Sequence, residues 1–291
     1  MKYFSYMCVF GLQLRSFHSY NYYNPFLSKA VEPSLLREQL YTYTNNNSKY
    51  IPYTRVKPIM HTELDMIDIY GDNTMEKNLE HVFPQFAFKN DPRKKEMKSD
   101  IHNLYLSNMK INSARQNFKY VTHDDYVSHT NEILIDTTGK RVHEPKEIFK
   151  KCGYLMLVNR KKQEFIPTKV SRGKIARSLA YFAVKYNYTE ELKNVIDIKT
   201  LVEWNIKDPV SNEEYYKNVI AYKYQNNLNP FILNPELTMY CFADIEPIDE
   251  YIITKERKEY VDPMYTIERL TRKIHELEET NKYYVKILTK K

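Results

Sequence analysis

The segment Leu79–Asn117 decides the expected fold and reads LEHVFPQFAFKNDPRKKEMKSDIHNLYLSNMKINSARQN. Glu80 and His81 stand side by side at the head of a short apolar run, and Asn112 follows near the end of the segment. Oxygen ligands from Glu and Asn suit Mg²⁺, which keeps most of its waters and takes few protein ligands. A neutral His near pH 7 accepts a proton from an attacking water. The three side chains therefore predict a metal-dependent hydrolase of phosphodiester bonds.

Alternation of apolar and polar positions predicts the elements of this segment. A strand through Phe83 would send Glu80 and His81 to opposite faces unless the chain bends between them. Pro84 cannot donate to a sheet ladder and predicts that the strand ends there. The remaining residues predict a loop over 88–98, a second strand over 100–106 and a helix over 107–118. Strand, loop, strand and helix form one compact unit.

Several motifs follow this segment in a fixed order: RGKIAR at 172–177, Trp204, Asp208-Pro209, Glu213 and QNNLNPF at 225–231. With the Glu80–His81 pair, they resemble the endonuclease I family of bacterial periplasmic and extracellular nonspecific nucleases. The resemblance covers about residues 20–240, and an ordered set of motifs is more specific than any single one. It implies an α+β fold in which helices surround a ββα-metal (His-Me finger) core.

The resemblance also implies a role for each residue of the core segment. His81 would be the general base and Glu80 and Asn112 would hold Mg²⁺, with Mn²⁺ or Ca²⁺ as substitutes. Water attack would then leave 5′-phosphate ends on DNA or RNA. Asp100, His102 and Asn103 would support the second strand, and Arg115 and Asn117 would buttress the helix or contact phosphate. Two positions depart from the family pattern, because Leu79 stands where many members have Arg and Asn226 stands where they have Gly. Asn tolerates the left-handed backbone that Gly would adopt.

Basic side chains elsewhere are candidates for contact with phosphate. Arg93, or a lysine near it in the loop, would stabilise charge in the transition state. Arg172, Lys174 and Arg177 lie at the start of a helix predicted over 173–186 by its apolar spacing, and a helix N-terminus attracts anions. A capped surface helix explains the same pattern equally well. Further helices are predicted over 33–40, 192–204 and 212–224, with Ser211 as a cap of the last, and buried strands over 132–136 and 154–158.

Composition favours a polyanionic partner and excludes other classes. The 291 residues contain 44 Lys and Arg against 37 Asp and Glu, which gives a net charge of +7. That excess suits nucleic acid, although solubility explains it nearly as well. No apolar run approaches the roughly 18 residues that a membrane span requires, so no membrane partner is expected. HExxH and GxSxG motifs are absent from the sequence, which removes support for a zinc protease or an esterase.

The two ends of the chain differ from the nuclease-like region over 20–240. Residues 1–19 are a weak signal peptide or the start of the domain, residues 241–262 are a linker, and residues 263–291 are an amphipathic helix. Ile267, Leu270, Ile274 and Leu277 begin a heptad seam, which predicts either a homodimer or partner contact, or a helix docked on the domain. Three scattered cysteines favour a reducing, intracellular compartment over secretion.

A second function fits the same sequence. A catalytically inactive nuclease fold would serve as a nucleic-acid-binding or assembly module, and the basic balance and the heptad tail agree with it. Retention of Glu80, His81 and Asn112 together favours the enzyme, because a binding module has no need of all three.

Overall fold

Strand β1 (Lys77–His81) and strand β2 (Leu104–Asn108) form a two-stranded antiparallel sheet in the computed structural model of this chain. Glu80 pairs with Tyr105 and His81 pairs with Leu104. Just before β1, the backbone N–H of Ile69 donates to the carbonyl of Leu106 at 2.9 Å and extends this sheet. The structure describes residues 32–65, 67–70, 76–122, 134–136, 141–142 and 156–245.

Helices surround this small sheet. In chain order they are α1 (Pro33–Asn45), α2 (Tyr53–Thr62), α3 (Lys94–Ser99), α4 (Met109–Arg115), α5 (Arg172–Tyr186), α6 (Thr189–Leu192), α7 (Ile198–Lys207), α8 (Asn212–Gln225), α9 (Pro230–Leu233) and α10 (Leu237–Phe242). Short 3₁₀ turns cover Gln85–Phe88, Ile101–Asn103 and Lys169–Ser171. Among the residues described, none of the helices has the length and apolar content needed to cross a bilayer.

A second sheet contains strands β3 (Lys119–Tyr120), β4 (Leu134–Asp136), β5 (Arg141–Val142), β6 (Leu157–Asn159) and β7 (Glu164–Ile166) in the order β3-β7-β6-β4-β5. β3 runs parallel to β7 and the other pairs are antiparallel. Helices and two small sheets together make an α+β fold, as the sequence predicts.

Helix α5 is the centre of the core. All of its residues are buried except Arg172 and Lys174 at its first turn, and a helix that is covered on every side lies inside a protein. It packs against α1, α7 and the 3₁₀ turn Ile101–Asn103. Asn187 ends it in the left-handed conformation at φ 56°, which Asn tolerates better than most residues. The turn before β2 is therefore held against the most buried helix of the domain.

Several predicted elements differ from the structure at their boundaries, among them the helix predicted over 107–118, which is α4 (Met109–Arg115). The loop over 88–98 contains helix α3, because Met97 supplies an apolar anchor that is fully buried. The second strand begins at Leu104 rather than residue 100, since Asp100 accepts the backbone N–H of His102 and starts a 3₁₀ turn instead. The helix over 192–204 is two pieces, α6 and α7, separated by a turn at Lys193–Asp197.

Other local predictions are confirmed. Ser211 caps α8 in a capping box with Glu214, the pattern in which each side chain bonds the other's backbone N–H. Asn226 ends α8 with φ 56°, so it adopts the left-handed backbone predicted for this position. The segment over 1–19, most of the linker over 241–262 and the helix over 263–291 lie outside the described residues.

Candidate active site

Helix α4 follows β2 directly and packs against β1. Asn108 starts the helix by accepting the backbone N–H of Lys110 at 2.8 Å, which satisfies one of the donors that a helix N-terminus leaves free. One turn later, Asn112 Nδ2 donates to the Leu79 carbonyl at 3.1 Å and to Asn78 Oδ1 at 2.9 Å. These bonds place Asn112 beside the strand that carries Glu80 and His81.

Glu80 is 1% exposed, and its two contacts both fall on one carboxylate oxygen, Oε1. Tyr70 donates its hydroxyl to Glu80 Oε1 at 3.2 Å, and Arg115 Nη1 lies 3.1 Å from the same oxygen. Burial raises the pKa of Glu80 to about 7, even though the charge of Arg115 opposes the rise. A second cation beside this carboxylate would stabilise its charged form.

His81 is held in one tautomer by its neighbours. Its Nε2 lies 2.9 Å from the Lys98 carbonyl, and a carbonyl only accepts, so Nε2 carries the proton. Nδ1 then has the free electron pair, which accepts the side-chain N–H of Gln85 at 3.1 Å. The Tyr53 ring stacks on the imidazole with 5.9 Å between centroids. Burial lowers the pKa of His81 to about 4, so the imidazole is neutral at pH 7, the form that a general base requires.

Within the part of the chain that the structure describes, the second carboxylate oxygen of Glu80 and the amide oxygen of Asn112 have no hydrogen-bonding or ionic partner. Both contacts of the Glu80 carboxylate end on Oε1, and both of those made by the Asn112 amide start from Nδ2. Among the described residues, no group of three or more His, Cys, Asp or Glu is arranged to hold a metal ion. Two hard oxygens with places left for water fit Mg²⁺ and do not fit Zn²⁺, which requires three or four protein ligands.

The family model of endonuclease I matches residues 29–236. The chain belongs to the endonuclease I family. It is 29% identical to an extracellular ribonuclease of Bacillus subtilis (strain 168) over 188 aligned residues, and the match covers 58% of this chain and 55% of the relative. It is 28% identical to an extracellular ribonuclease of Bacillus amyloliquefaciens over 153 residues, 47% of this chain and 44% of the relative. The chain thus spans about half the length of these curated relatives.

In this member of the endonuclease I family, Arg115 contacts both Glu80 and the backbone of His81. Its guanidinium is buried and donates to the His81 carbonyl at 3.1 Å and to the Val82 carbonyl at 2.8 Å. It also lies over the Tyr120 ring at 4.6 Å. Arg115 therefore holds the end of β1 through these two backbone carbonyls. Asn117 is exposed in the turn after α4.

Asn103 clamps the chain just beyond His81. Its side chain accepts the backbone N–H of Phe83 at 2.7 Å and donates to the Phe83 carbonyl at 3.1 Å. Its own carbonyl accepts the N–H of Val82 at 3.0 Å. Three bonds to two consecutive residues fix the direction in which the chain leaves β1, and with it the position of His81.

A buried polar network holds the turn that carries Asn103. Asp100 accepts hydroxyl protons from Tyr181 at 3.0 Å and Tyr186 at 2.9 Å, and Lys185 Nζ lies 3.3 Å from the same carboxylate. Gln225 donates to its other oxygen at 2.8 Å. Burial would raise the pKa of Asp100, but these partners outweigh it and hold the pKa below its usual range. Gln225 of the QNNLNPF segment therefore supports the turn that carries Asn103.

His102 lies in the same network. Its Nε2 is 3.2 Å from the Asn227 carbonyl, and its ring packs against Tyr181. Ser178 and Lys217 both donate to its backbone carbonyl, Lys217 at 3.2 Å. The structure thus gives His102 the supporting role that the resemblance implies, at the back of the site.

The basic residues of α5 form a separate cluster. Arg177 is completely buried and pairs with Glu214 through bonds of 2.7 and 2.8 Å. The N–H of Gly173 donates to Asp208 Oδ2 at 2.8 Å, so the protein's own carboxylate occupies the start of the helix. Arg172 lies over the Trp204 ring at 5.3 Å. This end of α5 is therefore built as a structural junction, which corrects the phosphate contact predicted for Arg177.

Arg93 and Lys174 were also predicted to contact phosphate, and neither makes a described contact with Glu80 or His81. Arg93 bonds Asp91 at 3.0 Å and donates to the Tyr186 carbonyl at 3.0 Å, so its guanidinium fastens the loop before α3 to the end of α5. Lys174 is half-buried at the first turn of α5.

The sequence reasoning missed the residues that touch His81 and Glu80 directly. Gln85, Lys98, Tyr53 and Tyr70 all make such contacts. Gln85 alone carried a local signal, because it follows His81 by four residues, but the strand end and Pro84 concealed the turn that brings them together. The contacts of Tyr53 and Tyr70 depend on long-range packing.

Proposed function

We propose that this chain is a metal-dependent endonuclease that hydrolyses phosphodiester bonds with little dependence on base sequence. One observation carries the proposal: His81 presents Nδ1 as a base, in a fixed tautomer, immediately after a carboxylate that retains an oxygen for a cation. Two relatives are named ribonucleases, so RNA joins DNA as a substrate. In this proposal β1, β2 and α4 are the ββα-metal core.

His81 takes a proton from the attacking water. Gln85 already places an N–H donor 3.1 Å from Nδ1, so the electron pair is open to a donor from that side. The Gln85 side chain is exposed and can make way for a water, which would then lie in the same position. The Lys98 carbonyl keeps the proton on Nε2 throughout and stabilises the imidazolium that forms.

Glu80 and Asn112 hold Mg²⁺ through the oxygens that they keep free. When bound, the ion neutralises charge that grows on the phosphate and on the departing 3′ oxygen. The side chains of Glu80 and His81 contact different residues, as expected for neighbours on a strand. In-line attack places the incoming and departing oxygens on opposite sides of phosphorus, so the proposed base would act on the first oxygen and the proposed cation site on the second. The products carry 5′-phosphate and 3′-hydroxyl ends.

The test is nicking of supercoiled plasmid and cleavage of a labelled RNA, each with Mg²⁺ or with EDTA. His81→Ala should lower the rate roughly 10²- to 10⁴-fold, the usual contribution of a general base. His61→Ala is the matched control, because His61 lies on α2 and has no contact with His81. Cleavage that persists in EDTA or in His81→Ala would refute the mechanism. A folded wild type that binds nucleic acid without cutting it would instead establish the inactive binding module.

A further inference from the structure

Phe86 is a large apolar side chain left in solvent beside the candidate base. It is 61% exposed, the highest value among the exposed large hydrophobic residues described. It lies in the 3₁₀ turn Gln85–Phe88, which follows β1 directly. Burying an aromatic ring stabilises a fold, yet Phe86 remains exposed although Phe88 of the same turn is buried.

Lys89 covers one face of the Phe86 ring. Its ammonium lies 4.2 Å from the ring centroid, within the range of a cation–π contact. Among the described residues, no second ring or cation lies against Phe86. A ring with a cation at one face and solvent at the other offers an aromatic surface and a positive charge side by side, which are the two parts of a nucleotide-binding surface.

The turn that carries Phe86 also contacts the proposed base. Gln85, the neighbour of Phe86 in this turn, touches His81 Nδ1 at 3.1 Å. A nucleotide stacked on Phe86 would therefore bind on the turn that borders the proposed base.

Other positive charges continue the surface. Lys98, whose carbonyl orients His81, is exposed and places its ammonium 4.7 Å from the Tyr53 ring centroid. Lys94 and Lys95 are exposed on the same helix, α3. An aromatic ring thus lies against a lysine in two places, Phe86 with Lys89 and Tyr53 with Lys98. Positive charges of this kind complement a chain of phosphates.

We propose that Phe86 and Lys89 form a nucleotide subsite in which the ring stacks on an unpaired base and the ammonium pairs with the neighbouring phosphate. Bases within a duplex have both faces covered by their neighbours, so the subsite selects single-stranded nucleic acid or frayed ends. The inference rests on the proposed function and narrows its substrate class.

Binding in EDTA tests the subsite without cleavage. Fluorescence anisotropy of a labelled single-stranded 12-mer should show binding roughly 5- to 100-fold weaker for Phe86→Ala and Phe86→Leu, the usual range for loss of one stacked base. Phe86→Tyr, which keeps the aromatic face, should bind like the wild type. Leu35→Ala is the control for loss of an exposed apolar side chain, since Leu35 lies on α1 and is 47% exposed. Lys89→Gln should weaken binding and reduce its salt dependence.

A set of 12-mers with one abasic position each locates the stacked base. One abasic position should weaken binding to the wild type and leave binding to Phe86→Ala unchanged. If Phe86→Leu binds as tightly as Phe86→Tyr, or if duplex binds as tightly as single strand, the stacking subsite is refuted while the nuclease proposal stands. Absence of cleavage and binding in the wild type would refute both.

Discussion

Arg115 Nη1 lies 3.1 Å from Glu80 Oε1, and both side chains are almost completely buried. The same guanidinium donates to the carbonyls of His81 and Val82. One arginine therefore orients the carboxylate proposed to hold the metal and fixes the backbone of the proposed base. This pair couples the stability of the fold to the geometry of the site.

Replacing Arg115 should lower the free energy of unfolding far more than a substitution at Glu80 that keeps an oxygen acceptor. Arg115→Met leaves a buried carboxylate unpaired and should lower the free energy of unfolding by about 3–5 kcal/mol. Glu80→Gln keeps an acceptor for Tyr70 and Arg115 and should cost less. Urea denaturation of the two variants and of their double mutant measures the coupling, which should be at least about 0.5 kcal/mol. Strictly additive losses would show that the ion pair contributes nothing.

Mg²⁺ should stabilise the folded protein through Glu80 and Asn112. At a concentration a hundredfold above its Kd, a ligand that binds only the native state raises the Tm of a domain of this size by roughly 5–10 °C. Thermal unfolding with Mg²⁺ and with EDTA measures this shift. Glu80→Gln and Asn112→Ala should abolish it, whereas Asn117→Ala, an exposed asparagine just beyond the same helix, should retain it. A full shift in Asn112→Ala would remove that residue from the metal site.

Two adjacent glutamates should differ sharply in their effect on stability. Glu214 is 0% exposed and bonds Arg177 twice, so Glu214→Gln should lower the free energy of unfolding by about 1–3 kcal/mol because Arg177 loses its charged partner. Glu213 is exposed, and Glu213→Gln should change it by less than about 0.5 kcal/mol. Chemical denaturation of the pair tests this difference, and equal losses would contradict it.

The same two glutamates show where sequence reasoning stops. The family pattern was placed on Glu213, yet the buried partner is Glu214, because only the three-dimensional packing of α8 on α5 distinguishes neighbouring carboxylates. The capping box at Ser211 was predictable, since its partners lie within one helical turn. The structural role of Arg177 was not predicted, because a phosphate contact was expected for this residue. Its partners Asn205 and Glu214 lie 28 and 37 residues away, and no local pattern joins them.

The candidate site divides in the same way. Residue type, spacing and the family resemblance singled out Glu80, His81 and Asn112, and the same resemblance implied the α+β fold. The start of β2 was placed four residues too early, because the Asp100 side chain competes with the strand by accepting a nearby backbone N–H. Gln85 and Tyr53 depend on how the chain turns after β1 and on where α2 packs, which periodicity does not encode.

His102 should make the protein sensitive to mild acid. Burial lowers its pKa to about 3 in the folded state, against the attraction of Asp100, whereas an unfolded His has a pKa of about 6.5. Between these values the unfolded chain binds a proton that the folded chain does not, so this residue's contribution to stability falls as the pH falls below about 6.5. The loss is about 1.4 kcal/mol per pH unit once the unfolded His is protonated. Urea denaturation at pH 7.5 and at pH 5 should show a smaller acid loss for His102→Asn than for the wild type. Other groups, such as His81, titrate in both proteins, so their contributions to the acid-induced loss of stability cancel in this comparison. An identical acid loss in both proteins would mean that His102 is protonated in the folded state as readily as in the unfolded chain.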